Sequence, residues 1–155
     1  MLKPLVIALV AASLAVCGSL PEDFVAAGAT YNGYASPQVN GWAIYAHRVT
    51  DSKIYNFNTV DVTSVTKTPF SAQVSYRTGI ATVVKDRIAG VTVLAVAEAG
   101  MAAAGENVGG AVSAAGVVVT RLKKNWRVVM PVRVTKTALS DYQVSLGLGI
   151  GWGAD

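Results

Sequence analysis

Apolar and polar positions alternate along most of this chain, most regularly at its end. Tyr142, Val144, Leu146, Leu148, Ile150 and Trp152 share one face, and Gln143, Ser145, Gly147, Gly149 and Gly151 share the other. Successive side chains of a strand point to opposite faces. This strand therefore has one wholly apolar face and one small, polar face. Aromatics at both ends of the apolar face, with aliphatics between, suit a surface in contact with lipid. The glycine-rich face suits a crowded barrel interior.

The same period predicts about eight strands, each near the roughly 9–11 residues that a tilted membrane-crossing strand needs. The first, Val25 to Ala35, sets Val25, Ala27, Ala29 and Tyr31 against Thr30, Asn32 and Tyr34, and residues 36–40 break it. The second, Gly41 to Val49, places Trp42, Ile44 and Ala46 on the predicted outer face, and a turn follows at residues 50–53. In the third, Ile54 to Val65, Tyr55 and Phe57 favour one phase and Val60 and Val62 the other, which predicts a bulge or bend. The fourth sets Phe70, Ala72, Val74, Tyr76 and Ile80 against Ser71, Gln73, Ser75 and Arg77. Lys85, Asp86 and Arg87 read as a charged turn.

The fifth, Ile88 to Gly100, sets Val91, Val93, Ala95 and Ala97 against Thr92, Leu94, Val96 and Glu98, and Met101 to Gly110 reads as a glycine-containing loop. The sixth, Ala111 to Leu122, is apolar on both faces, so its phase is open. The seventh sets Trp126, Val128, Met130, Val132 and Val134 against Arg127, Val129, Pro131, Arg133 and Thr135. A proline cannot donate a ladder hydrogen bond, so Pro131 predicts either a bulge or an open sheet edge.

Composition sharpens this picture. Only 14% of the 155 residues are charged, against about 25% in an ordinary soluble domain. No internal apolar run reaches the roughly 18 residues of a helical span, so alternating strands account for the hydropathy. The net charge of +4 is spread through turns and strands, which predicts no nucleic-acid partner. Residues 1–18 read as an export signal, with Lys3 before the apolar stretch Leu5 to Val16 and small residues at Cys17, Gly18 and Ser19. Residues 19–155 then form one domain. Leu14-Ala15-Val16-Cys17 also resembles a lipidation signal, so removal and lipidation of Cys17 both stand at this level.

The export signal, the alternation and the closing run Tyr142 to Trp152 together resemble small eight-stranded outer-membrane barrels of the OmpX and OmpA-transmembrane-domain type. The resemblance covers most of the chain, although Gly153, Ala154 and Asp155 follow the aromatic with which such proteins end. It implies an all-β, antiparallel, up-and-down transmembrane barrel in the outer membrane of a diderm bacterium. It also implies contact with outer-membrane lipid and a barrel-assembly machinery as partner during biogenesis; the oligomeric state stays open, with a monomer favoured.

Inside such a barrel the polar candidates are Gln73, Arg77, Glu98, Arg127, Arg133 and Gln143. Buried charges are costly unless paired, so Glu98 is expected to pair with Arg77 or Arg133 in an interior network. Tyr31, Trp42, Phe70, Tyr76, Trp126, Tyr142 and Trp152 are the expected aromatic girdle. Asn56, Asn58 and Asp61 read as a mouth or bulge feature. One histidine, one cysteine and no spaced acids predict no metal site, no cofactor and no catalysis. Two other readings remain. A secreted, lipocalin-like barrel would bury the apolar face around a small apolar ligand. A lipid-modifying enzyme would use His47 with a nucleophile and an acid brought near it by folding.

Overall fold

The fold was derived from a computed structural model, which describes residues 20–32, 38–50, 52–65, 71–88 and 91–153. Residues 1–18, expected to be an export signal and including Cys17, lie outside them, as does Phe70. The strands are β1 (Asp23–Asn32), β2 (Gln38–Arg48), β3 (Ile54–Val65), β4 (Ser71–Ile88), β5 (Val91–Ala104), β6 (Asn107–Arg121), β7 (Trp126–Thr137) and β8 (Ser140–Trp152). Each pairs antiparallel with its sequence neighbour, and β1 pairs with β8, giving a closed up-and-down barrel. The expected all-β class and eight-stranded topology are those observed.

The register is staggered around the circuit. Paired residues lead from Asp23 through His47, Asn56, Ile80, Ala97, Ala114 and Val134 to Val144. Val144 precedes Ser145, whose β1 partner is Asn32, nine residues beyond Asp23. The circuit thus returns ten residues from its start. Such a stagger accompanies a strand tilt of roughly 35–45° and a lumen just wide enough for side chains to fill.

The lumen has two tiers. Near the start of β1 and the end of β8 it is apolar: Phe24, Tyr55, Phe57, Leu94, Val117 and Val129 are each at most 1% exposed. Phe24 meets Tyr55 and Phe57 edge-on, with ring centroids 6.3 and 6.5 Å apart. Leu20 and Pro21 cross beneath them, and the Tyr55 hydroxyl donates to the Pro21 carbonyl at 3.2 Å. The opposite tier is polar and is described below.

This apolar tier overturns the expected phase of β2. Trp42, Ile44 and Ala46 face inward, at 4%, 3% and 0% exposure. The glycine face of β8 makes room for the indole. A Cβ on Gly149 would lie 2.6 Å from Trp42 Cζ2, and one on Gly147 would lie 2.7 Å from Pro131 Cγ and 3.0 Å from Trp42 Nε1.

Other local expectations are corrected. β3 is regular, with Tyr55, Phe57, Thr59 and Asp61 inward and Val60 and Val62 outward; its pairings run without a register shift. Tyr55 and Phe57 fill the apolar lumen while Val60 and Val62 face out, so apolar residues occupy both faces without a bend. Residues 85–87 are not a turn but part of β4, where two register shifts absorb the irregularity. The expected loop from Met101 to Gly110 is a tight hairpin about Gly105 and Glu106. Gly105 has φ 59°, as the first position of a two-residue hairpin turn requires. In β6 the odd-numbered residues from Ala111 to Val119 turn inward.

Pro131 creates neither a bulge nor an open edge. The β7–β8 pairing lapses at Met130 and Pro131, then resumes in the same register from Val129–Gly149 to Val132–Leu146. The missing donor costs a local ladder bond, and the buried ring fills the space above Gly147.

Gly149→Ala should destabilise the folded barrel by about 1–3 kcal/mol, the usual cost of overpacking. Urea titration of refolded protein in detergent, with unchanged stability as the contrary result, checks this.

Candidate functional site

Halfway along the lumen, four charged side chains meet. Arg77 from β4 pairs with Asp61 of β3, and its Nε lies 3.7 Å from Glu98 Oε2 of β5. Arg133 from β7 reaches Asp61 Oδ1 at 3.1 Å and Glu98 Oε2 at 3.5 Å. Two guanidiniums thus face two carboxylates, and the group is formally neutral. The Glu98 side chain is fully buried, and those of Arg77 and Arg133 are 1% and 3% exposed. Hydroxyls complete the network. Thr59 and Ser113 donate to Glu98, Arg77 Nη1 donates to Ser75 at 2.8 Å, and Arg133 Nη2 donates to Thr59 at 3.1 Å.

Alternation explains how the sequence assembles this layer. Asp61, Arg77, Glu98 and Arg133 stand at inward positions on four strands. Glycines opposite the long side chains make space: Gly79 pairs with Glu98, and Gly100 with Arg77. A Cβ at Gly100 would stand 2.7 Å from the Arg77 Cα.

Of the six expected interior residues, the structure brings Arg77, Glu98 and Arg133 together. Arg127 also faces inward, but at the terminal end, where its Nη1 donates to the Gly153 carbonyl at 3.0 Å. Gln73 and Gln143 line a polar vestibule beyond the charged layer, with Thr30, Asn40, Thr63, Thr135 and Ser145. Asp61 is a functional position that sequence reasoning assigned elsewhere. Regular phase in β3 was the signal that could have found it, because Asp61 lies two and four residues beyond inward Thr59 and Phe57. Asn56 and Asn58 take the outer phase, and Asn58 Oδ1 accepts from the Tyr76 hydroxyl at 3.1 Å.

Outside, the barrel presents exposed apolar side chains on strand after strand, including Val25, Val60, Val62, Val74, Ile80, Val112, Val132, Leu146, Leu148 and Ile150. Tyr31, Tyr76, Trp126, Tyr142 and Trp152 stand among them at 45–67% exposure. Trp42 is the departure from the expected girdle, for it fills the lumen instead.

His47 lies at the terminal end of β2, with Nδ1 2.7 Å from Asp23 Oδ1. The Tyr45 hydroxyl donates to the same oxygen at 3.0 Å. Asp23, beyond the apolar band, is held below the usual carboxylate range first by the His47 hydrogen bond and then by that of Tyr45. Folding therefore supplies His47 with an acid. The nearby Ser52 hydroxyl is turned to the Val49 carbonyl, to which it donates at 2.7 Å. Among the described residues, no group of three or more His, Cys, Asp or Glu is placed to hold a metal ion.

The arrangement defines a class: a closed eight-stranded barrel, apolar outside, with paired charges within. Two solved structures share the fold. One is the Neisserial surface protein A, NspA, with a TM-score of 0.65 and 11% identity over 84% of this chain and 94% of that one. Another is Ail, the attachment invasion locus protein of Yersinia pestis, with a TM-score of 0.55 and 11% identity over 86% and 99%. No family model matches the chain, and no curated protein matches it.

Glu98→Ala would leave Arg77 and Arg133 facing an uncompensated excess of positive charge in the lumen. A loss of about 3–5 kcal/mol is expected. Combining it with Arg77→Met should cost less than the sum of the two single losses, because the residues share one network. Denaturant unfolding of the single and double variants checks both statements, and additive losses would contradict the network.

Proposed function

We propose that this chain is an integral outer-membrane barrel protein of a diderm bacterium with a structural or surface-interaction role and no catalysis. The observation that carries the reading is the inverted arrangement of its surfaces. Large apolar side chains cover the outer wall, while a neutral set of four charges is held in the lumen. Soluble monomers rarely expose contiguous apolar patches beyond a few hundred Å². In lipid the same wall is matched to its solvent, and the closed ladder leaves no backbone edge unpaired.

Supporting features agree in direction. An even strand number leaves both barrel ends of the chain on one side, and an export signal over residues 1–18 would make that side periplasmic. The exposed tyrosines and tryptophans would anchor the barrel at the membrane interfaces. The C-terminal run to Trp152 would address the chain to the barrel-assembly machinery. The names of the two structural neighbours, a surface protein and an attachment protein, fit a location at the cell surface. The apolar tier of Phe24, Tyr55 and Phe57 would block passage along the lumen, which favours an anchoring or contact role over conduction.

The lipocalin-like alternative needs the apolar face of β8 indoors, whereas Leu146, Leu148 and Ile150 are 53–59% exposed. The enzymatic alternative has an acid beside His47, but its hydroxyl neighbour, Tyr45, donates to that acid.

Boiled and unboiled membrane fractions of an expressing diderm host should give bands of different mobility on a denaturing gel. A soluble periplasmic protein without a shift would overturn the reading. Leu146→Arg should cost about 2–4 kcal/mol if this position faces the bilayer midplane. Unfolding from vesicles measures that loss, and no loss would contradict a lipid-facing wall.

A further inference from the structure

The outer wall is not uniformly convex. Midway along β1 and β2 the outward residues are tiny: Ala27 pairs with Ala43, and Ala29 with Gly41. Their neighbours across the ladders are larger, with Ile150 beside Ala27 and Val60 beside Ala43. The result is a groove with an alanine floor, apolar except near its foot, with a cavity volume of about 610 Å³ and open along one side. That volume lies within the range of roughly 300–1,000 Å³ seen for small-molecule sites.

The foot of the groove has a different chemistry. Tyr45 lines the groove with its ring, and its hydroxyl reaches past the apolar wall to Asp23. Tyr45 and His47 both engage Oδ1 of that carboxylate. Among the described residues nothing engages Oδ2, and the Asp23 side chain is 55% exposed. Glu22, also exposed, precedes it. A hydrocarbon-sized trough thus ends at an oriented carboxylate with one acceptor oxygen open to the surroundings.

We propose that this groove seats one phospholipid whose headgroup carries a protonated amine. An acyl chain lies along Ala27 and Ala43, between Val60 and Ile150, and the ammonium group donates to Asp23 Oδ2. The inference rests on the membrane reading above, which supplies the lipid. Two features select this occupant. The floor accepts a chain without side branches, because any bulk there is limited by Ile150 and Val60. The foot offers a charged acceptor, and a hydrogen bond from ammonium to carboxylate is of the stronger, charge-assisted kind. A headgroup bearing only negative charge would meet Asp23 and Glu22 with repulsion. Tyr45 is a positioning residue, since its hydroxyl holds Oδ1 and so directs Oδ2 outward.

The test is native mass spectrometry of full-length protein, folded in detergent with equal amounts of phosphatidylethanolamine and phosphatidylglycerol of identical acyl chains. The expected result is one retained lipid per barrel, with the ethanolamine lipid in excess. Asp23→Asn should reduce retention of the ethanolamine lipid to the level of the glycerol lipid. Ala43→Leu should fill the floor and remove both. Equal retention of the two lipids by the unaltered protein, or a preference that survives Asp23→Asn, overturns the proposal. So does a bound second copy of the chain in place of lipid. If Asp23→Asn loses its mobility shift on boiling and so fails to fold, Ala43→Leu decides: retention unchanged in that variant overturns the seat. Unaltered protein that shows no boiling shift would defeat the membrane reading itself. A normal shift without amine preference defeats the lipid seat alone.

Discussion

The pairing of β1 with β8 is the contact on which the rest of the structure depends. Eight antiparallel strands in an open sheet would leave two edges of unpaired backbone groups, costly in any apolar surrounding. Closure removes both edges, and the ten-residue stagger tilts the strands and sets the width of the lumen. That width dictates the interior side chains. It explains why glycine recurs on the inner face of β8, where Trp42 and Pro131 take up the space that a Cβ would need. It also explains how Pro131 is tolerated: the ladder lapses on one side for two residues while the register is retained.

Once the lumen is narrow, its charges must be matched side chain by side chain. Asp61, Arg77, Glu98 and Arg133 come from four strands, so their network ties together distant parts of the circuit. Burying such groups is expensive, and the gain over an apolar filling is small or negative. Their value here is as a specification of register. A one-residue slip of any contributing strand would turn its charge to the outer wall. The apolar tier nearer the termini lacks that selectivity but packs densely and closes the end of the barrel with Leu20 and Pro21.

Outer and inner surfaces obey different rules. The wall needs only apolar bulk with aromatics near its limits, so many substitutions would satisfy it. The lumen needs volume, charge balance and hydrogen-bond partners at once, so its positions are tightly coupled. The terminal rim, with Asp23, His47 and Tyr45, belongs to neither regime, and there polar groups meet the apolar wall directly.

Strand number, barrel class and the phase of strands with contrasting faces were legible in the sequence alone, because alternation records which residues share a face. Val74 and Tyr76 against Ser75 and Arg77, or Leu146 and Leu148 against Gly147 and Gly149, divide cleanly into two faces. The sign of β2 was not legible. Trp42, Ile44 and Ala46 form a clean apolar face, yet the lumen at that end is as apolar as the outer wall, so periodicity identified the face without its direction. Met101 to Gly110 misled for a related reason: small residues suit a loop and also suit two closely paired strands. Only the tertiary structure decided which strands deliver charges to one layer, because Asp61 and Arg133 are 72 residues apart in sequence and meet through the closed, staggered circuit.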